Sequence, residues 1–236
     1  MDRAEPLAVA RETEDGSEGA PSGQLLHGVV SARSHERALT KLAAADDEEL
    51  VRYRGLAALV HHVPYSLPEW EPTRVREHGQ AIERAMRRCT IVPAPYGIVF
   101  RDTPHVARFL EEQYVALDEA LSFLDGTFEM RLHIHPSGQH PGVSERQQLD
   151  SAAELYTALR RRARAALHLG AASEGRVLSA AFLVDRASWV SFVEYADELD
   201  ADHPEFRLDL TGPWPPYDFV RISFLPEEEA AGPAGP

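Results

Sequence analysis

Two histidines one residue apart, His133 and His135, with His140 after a short loop, have the types and spacing that most invite chemistry. A His-x-His pair on a strand turns both imidazoles to one face, which is the geometry of two metal ligands. No Asp or Glu at a fixed spacing supplies a third ligand, and strand alternation puts both rings on the polar face. The expectation is therefore two polar histidines and no metal. Cys89 would need a neighbouring base and a lowered pKa to act as a nucleophile. It sits on the apolar side of a helix end, where a lone cysteine is a small core residue. The acids Asp46-Asp47-Glu48-Glu49 are consecutive rather than convergent and read as a solvated loop. His61-His62 falls at a strand end, with one ring directed to solvent. Arg160, Arg161, Arg162 and Arg164 read as a solvated helix face or a site for an acidic partner. Glu129 reads as half of an internal salt bridge with an arginine rather than as an acid–base group. Phosphate loops, dinucleotide fingerprints, nucleophile elbows and zincin helices have no counterpart here. The chain is expected to be no enzyme and to need no cofactor.

The run Thr211-Gly212-Pro213-Trp214-Pro215-Pro216-Tyr217-Asp218-Phe219-Val220 is of another kind. Each proline fixes its own φ, lacks an N–H and pushes the residue before it toward extended backbone. The run cannot be helical and is expected to be a rigid extended turn leading into a strand. Aromatic side chains held this way lose little entropy on binding, so they suit either packing or an interface.

The elements that must position these residues follow from periodicity and punctuation. Residues 1–24, rich in Glu, Ala, Gly, Ser and Pro, and residues 226–236 are expected to be disordered acidic tails. The tails hold much of the formal charge of −14. An acidic chain argues against sequence-independent nucleic-acid binding and against an anionic membrane surface. One cysteine excludes an internal disulfide and fits a reducing cytoplasm; no signal peptide and no spanning segment are read. From residue 25 the order is strand, helix capped by Ser34, hairpin 50–63 turning at Gly55, helix 73–88 and strand 90–93. This βαββαβ order fits a ferredoxin-like sheet with helices on one side. Val106, Phe109, Leu110, Tyr114, Leu117, Leu121 and Leu124 recur at helical spacing, predicting one long helix over 103–124 that ends at Gly126. Then come a strand over 127–134, a loop 136–141, a helix 150–169, a strand 178–184, a helix 187–199 and strands 206–210 and 217–225. The fold class is α+β: two small sandwich domains, residues 25–101 and 102–225, the second ferredoxin-like, bridged by helix 103–124.

Leu210 to Tyr217, followed by Asp218-Phe219-Val220, resembles the C-terminal signature of the gas vesicle accessory proteins of the L/F family. Ile91-Val92-Pro93-Ala94-Pro95-Tyr96-Gly97-Ile98-Val99-Phe100 is similar to that family's central stretch. Leu124-Asp125-Gly126-Thr127-Phe128-Glu129-Met130-Arg131-Leu132 is similar to its helix-exit stretch. The likeness runs from about Leu25 to Leu225. Pro95 stands where the family usually has a basic residue, and Tyr96 replaces a Phe. The resemblance implies a non-catalytic accessory protein, cytoplasmic and at the gas vesicle. Its partners would be the small hydrophobic shell protein, whose wall it helps nucleate or build, and other vesicle accessory proteins. Motif or partner-contact residues would be Gly212, Pro213, Trp214, Pro215, Pro216, Tyr217 and Phe219, with Pro93, Tyr96, Gly97, Gly126 and Glu129. An adaptor of the same fold without a vesicle role, or a His-dependent metalloenzyme, is the alternative.

Overall fold

A computed structural model describes residues 22–33, 36–43, 48–66, 70–137, 144–170 and 175–224. The proposed cap Ser34, His140, Asp46, Asp47 and both tails apart from 22–24 lie outside these residues. Ser22–Gln24, assigned to the tail by composition, already belong to the first strand.

The first sheet grows from β1 (Ser22–Ser31). Its neighbours are the hairpin β2 (Glu48–Tyr53) and β3 (Leu56–Pro64), then β4 (Ile91–Pro93) and β5 (Val99–Phe100). The strand order is β2-β3-β1-β4, with β5 also on β1, and these pairings are antiparallel. β1 is buried at every residue from Gly23 to Val30 without alternation, and helices cover it on both faces. On one side α1 (Glu36–Ala43) and α2 (Pro72–Met86) pack on Val30, Ala57, Leu59 and Ile91. On the other, α3 (Thr103–Glu112) and α4 (Tyr114–Leu124) pack on Leu26, Val29, Ala58 and Val60. This corrects the expectation of helices on one side only. A strand buried on both faces needs apolar residues of both parities, which Leu25 to Val30 supply. The single helix expected over 103–124 is likewise two. Gln113 leaves helical backbone (φ −95°, ψ 11°), so α3 lies toward β2 and α4 toward β4.

The second sheet has the order β7-β8-β6-β9, built from β6 (Thr127–Pro136), β7 (Ala165–His168), β8 (Leu178–Asp185) and β9 (Phe206–Trp214). The helices α5 (Glu145–Arg160) and α6 (Trp189–Asp202) close over Met130, Leu132, Ile134, Phe182 and Val184. α5 starts at a capping box, Ser144 with Gln147, and stops nine residues before the expected end. The stop has tertiary causes. Arg162 lies over the Tyr195 ring at 3.6 Å, and the Arg164 N–H donates to the Leu183 carbonyl at 2.8 Å. The Arg164 side chain pairs with Asp185 and donates to the carbonyls of Phe123 and Asp125. Helix propensity is too weak to outlast such contacts. Two of the four arginines are therefore spent on packing, not on a solvated helix face.

The chain end also departs from expectation. β9 runs through Gly212-Pro213, a cis peptide, to Trp214, and no strand follows among the described residues. β9 is the sheet edge, where a proline removes no ladder bond. Tyr217–Phe219 is one 3₁₀ turn, and residues 220–224 run on without regular structure.

Candidate functional site

The Pro-aromatic run acts as a strap across both sheets. Pro215 and Pro216 are buried, and Tyr217 is half-buried against the α1–α2 core. Phe219, Val220 and Ile222 pack on the α3–α4 core, and Phe224 stacks on Phe109 with centroids 6.0 Å apart. Trp214 stands apart. It is 39% exposed, and its indole N–H donates to Thr211 Oγ1 at 3.1 Å. Of the three aromatics singled out in the run, Tyr217 and Phe219 are packing residues, and Trp214 alone is offered to solvent.

Glu129 anchors the strap. Its carboxylate is fully buried, not on a polar face as alternation implied. Oε1 accepts from Arg131 Nε at 2.7 Å, and Oε2 accepts from the Asp218 N–H at 3.0 Å. Arg131 also pairs with Asp218 at 2.9 Å, so a strand residue and a strap residue share one guanidinium. Burial pushes the Glu129 carboxyl up to about 7, against the Asp218 N–H and Arg131. Burial opposes the Arg131 charge too, but there the two carboxylates win and hold it protonated. Gly212 is required by the same place. Its φ is +133°, and an added Cβ would lie 2.8 Å from Met130 Sδ and 2.9 Å from the Glu129 carbonyl. Gly126, with φ +68°, ends α4, and its carbonyl accepts from the Arg186 N–H at 2.9 Å.

The central stretch lies elsewhere. Pro93 is buried in β4 opposite Gly28, Pro95 is exposed, and Gly97 has φ +105°. Tyr96 sits at the lip of a groove of about 920 Å³ between α2 and the ends of β1 and β3. His27 and His78 line it with their Nδ1 atoms 2.9 Å apart. His78 Nε2 lies 3.0 Å from the Ala94 carbonyl. Burial, then His78 nearby, pulls the His27 imidazole down to about 3, and burial lowers His78 as well. Both rings are thus neutral at pH 7. Glu48 is buried and accepts from Arg84 at 2.8 Å, which corrects its reading as loop. None of this was legible in the sequence. Residues 27, 48, 61, 78 and 96 have no common spacing, and only the sheet brings them together.

The remaining candidates resolve simply. His133 Nδ1 contacts Ser179 Oγ at 2.9 Å. Among the described residues no three His, Cys, Asp or Glu side chains could hold a metal. His61 is half-buried and His62 is exposed beside Glu49 at 3.0 Å. Cys89 is 3% exposed, and burial pushes its thiol up to about 11, the state of an inert core thiol. Among the described residues no helix is long and apolar enough to cross a membrane.

An α+β protein with a five-stranded and a four-stranded antiparallel sheet and a Pro-aromatic strap is the class these features define. Two solved structures share the fold. GvpF from Anabaena sp. PCC7120 superposes with a TM-score of 0.71 at 19% identity, covering 86% of this chain and 97% of that one. GvpF from Microcystis aeruginosa gives 0.68 at 14% identity, covering 85% and 99%. The sequence matches the family described as gas vesicle synthesis protein GvpL/GvpF over residues 23–147 and 142–221. Gas vesicle protein F1 of Halobacterium salinarum is 24% identical over 209 residues, 87% of this chain and 96% of that protein. Gas vesicle protein L of a Streptomyces species is 30% identical over 195 residues, 66% of this chain and 71% of that protein. The chain belongs to the GvpL/GvpF family, and its role is gas-vesicle-related.

Proposed function

We propose that this protein is a non-catalytic accessory protein of gas vesicle assembly. It binds the small hydrophobic shell protein, and works with other vesicle accessory proteins, to help nucleate or build the vesicle wall. It acts in the cytoplasm, at the vesicle, with no nucleic acid or membrane as partner. The observation that carries this reading is the family match across residues 23–147 and 142–221, which takes in both sheets and the strap. Trp214 supports a contact site. An exposed indole on a strand end, held by prolines on either side and by Thr211, is a preorganised apolar anchor. An acidic surface suits a soluble carrier of an apolar subunit.

The test is co-expression with a gas vesicle shell protein and pull-down, using wild type and Trp214→Ala. Capture by wild type and weak capture by a folded Trp214→Ala protein is the expected result. Capture by both leaves the role standing and moves the contact away from Trp214. Capture by neither overturns the shell-binding reading and favours an adaptor of the same fold, for which the exposed Pro95 is the motivating departure.

A further inference from the structure

The groove beside α2 has hydrogen-bonding directions fixed by its contacts. A carbonyl only accepts, so His78 must carry its proton on Nε2 to meet Ala94 O at 3.0 Å. A neutral His78 then has a lone pair on Nδ1. His27 must donate its Nδ1–H to that lone pair at 2.9 Å, which leaves His27 Nε2 as an unprotonated acceptor. That nitrogen has no partner among the described residues, and His27 lines the groove. The relay from carbonyl to His78 to His27 ends in an acceptor offered to whatever enters.

The other groove groups point the same way. Arg84 is engaged by Glu48 at 2.8 Å and Arg74 by Glu71 at 3.1 Å. Glu77 on the same wall has no partner among the described residues. The lip is aromatic. Trp70, 78% exposed, meets Tyr96 edge-on at 5.8 Å, and Tyr96 meets His78 at 5.4 Å. An unanswered carboxylate, a fixed acceptor and an exposed indole face call for one kind of ligand. It is a cation with several N–H donors and a flat face. The chain's formal charge of −14 favours a basic partner as well.

We propose that this groove binds an arginine side chain presented by a basic segment of a partner protein, with Glu77 and His27 as acceptors and Trp70 as the stacking face. This site is separate from Trp214 and does not rest on the shell-binding reading.

The probe is the capped tripeptide Ac-Ala-Arg-Ala-NH2, titrated into the full chain with Ac-Ala-Glu-Ala-NH2 as control. Histidine side-chain ¹⁵N spectra are the readout, because they report each tautomer. Expected are an Nε2–H signal for His78, an Nδ1–H signal for His27, and a saturable shift of His27 Nε2 with the arginine peptide only. Glu77→Gln and Trp70→Ala change exposed residues and should leave the fold intact. Each should weaken binding roughly fivefold, the size of one ion-pair or cation–π contact. No saturable shift, equal binding of the glutamate peptide, or unchanged affinity in both variants would overturn the proposal. So would joint capture of His27 and His78 by zinc sulfate with the arginine peptide excluded from the metal-free protein.

Discussion

Glu129 is the residue on which the strap depends. Removing its partner with Arg131→Ala leaves a buried carboxylate facing Asp218. The expected loss in stability at pH 8 is about 3–5 kcal/mol, the usual penalty for an uncompensated buried charge. Because the Glu129 pKa is raised in the fold, its neutral form stabilises the native state below its unfolded value near 4.5 and this contribution is lost as pH rises through about 7. The Arg131→Ala penalty should therefore shrink when urea melts are repeated at pH 5. An equal penalty at both pH values would show that Glu129 does not titrate there. Gly212→Ala is a second residue-scale case. The left-handed φ and the Cβ contacts with Met130 and Glu129 predict a loss of about 1–3 kcal/mol by thermal denaturation, with no change in any charged group. His27 and His78 set the opposite pH trend. Their lowered pKa values mean that stability is full above about 6.5 and lost as pH falls toward about 3. The slope is at most about 1.4 kcal/mol per pH unit for each ring. A double variant, His27→Phe with His78→Leu, should flatten acid unfolding curves over that window.

At the scale of elements, propensity and tertiary demand part company in three places. The periodicity of residues 106–124 is continuous, yet the helix breaks at Gln113 because one straight rod cannot lie along both β2 and β4. Residues 161–169 look helical but leave α5 to make turn contacts and β7, since Arg162 and Arg164 find partners on α6, β8 and the α4 exit. The strap looks like a strand and is not one, because its aromatics serve two different cores. Phe224 is its last anchor among the described residues. Phe224→Ala should reduce stability by about 3–5 kcal/mol, as for other buried phenylalanines, and should raise amide exchange in α3 at Phe109 and its neighbours. Exchange unchanged in α3 would mean that the strap is held by Glu129 alone.

For the whole molecule, we propose the division into units 25–101 and 102–225, with α3–α4 as the shared element. The two sheets have the same element order and the same strand order, and a ferredoxin-like reading of each rests on that likeness. The units are not separate in their packing. Leu183 of β8 and Phe224 of the strap share a core with Leu26 and Val29 of β1. Arg186 donates to the Met86 carbonyl at 2.7 Å and lies over Phe128 at 4.5 Å. Fragments 1–101 and 102–236 should therefore aggregate when expressed singly and reassociate when expressed together. Two fragments that are each soluble, monomeric and indifferent to one another would overturn the shared core.

Local chemistry in the chain decided much of this. Apolar runs and helical spacing place β1, the hairpin about Gly55, α2, α6 and the start of α3, because backbone bonding and amphipathic burial act over a few residues. The family likeness was readable in Gly212 to Phe219, in Pro93 to Gly97 and in Gly126 to Glu129, because prolines, glycines and aromatics constrain backbone wherever they stand. The tertiary structure alone decided which aromatic of the strap faces solvent, that Glu129 shares Arg131 with Asp218 of the strap, and that β1 is covered on two sides. It alone brought His27, His61, His78 and Tyr96 to one groove. Those facts depend on residues distant in sequence meeting in the fold, such as His27 with His78, 51 positions apart, and Glu129 with Asp218, 89 apart, and no local period encodes such a meeting.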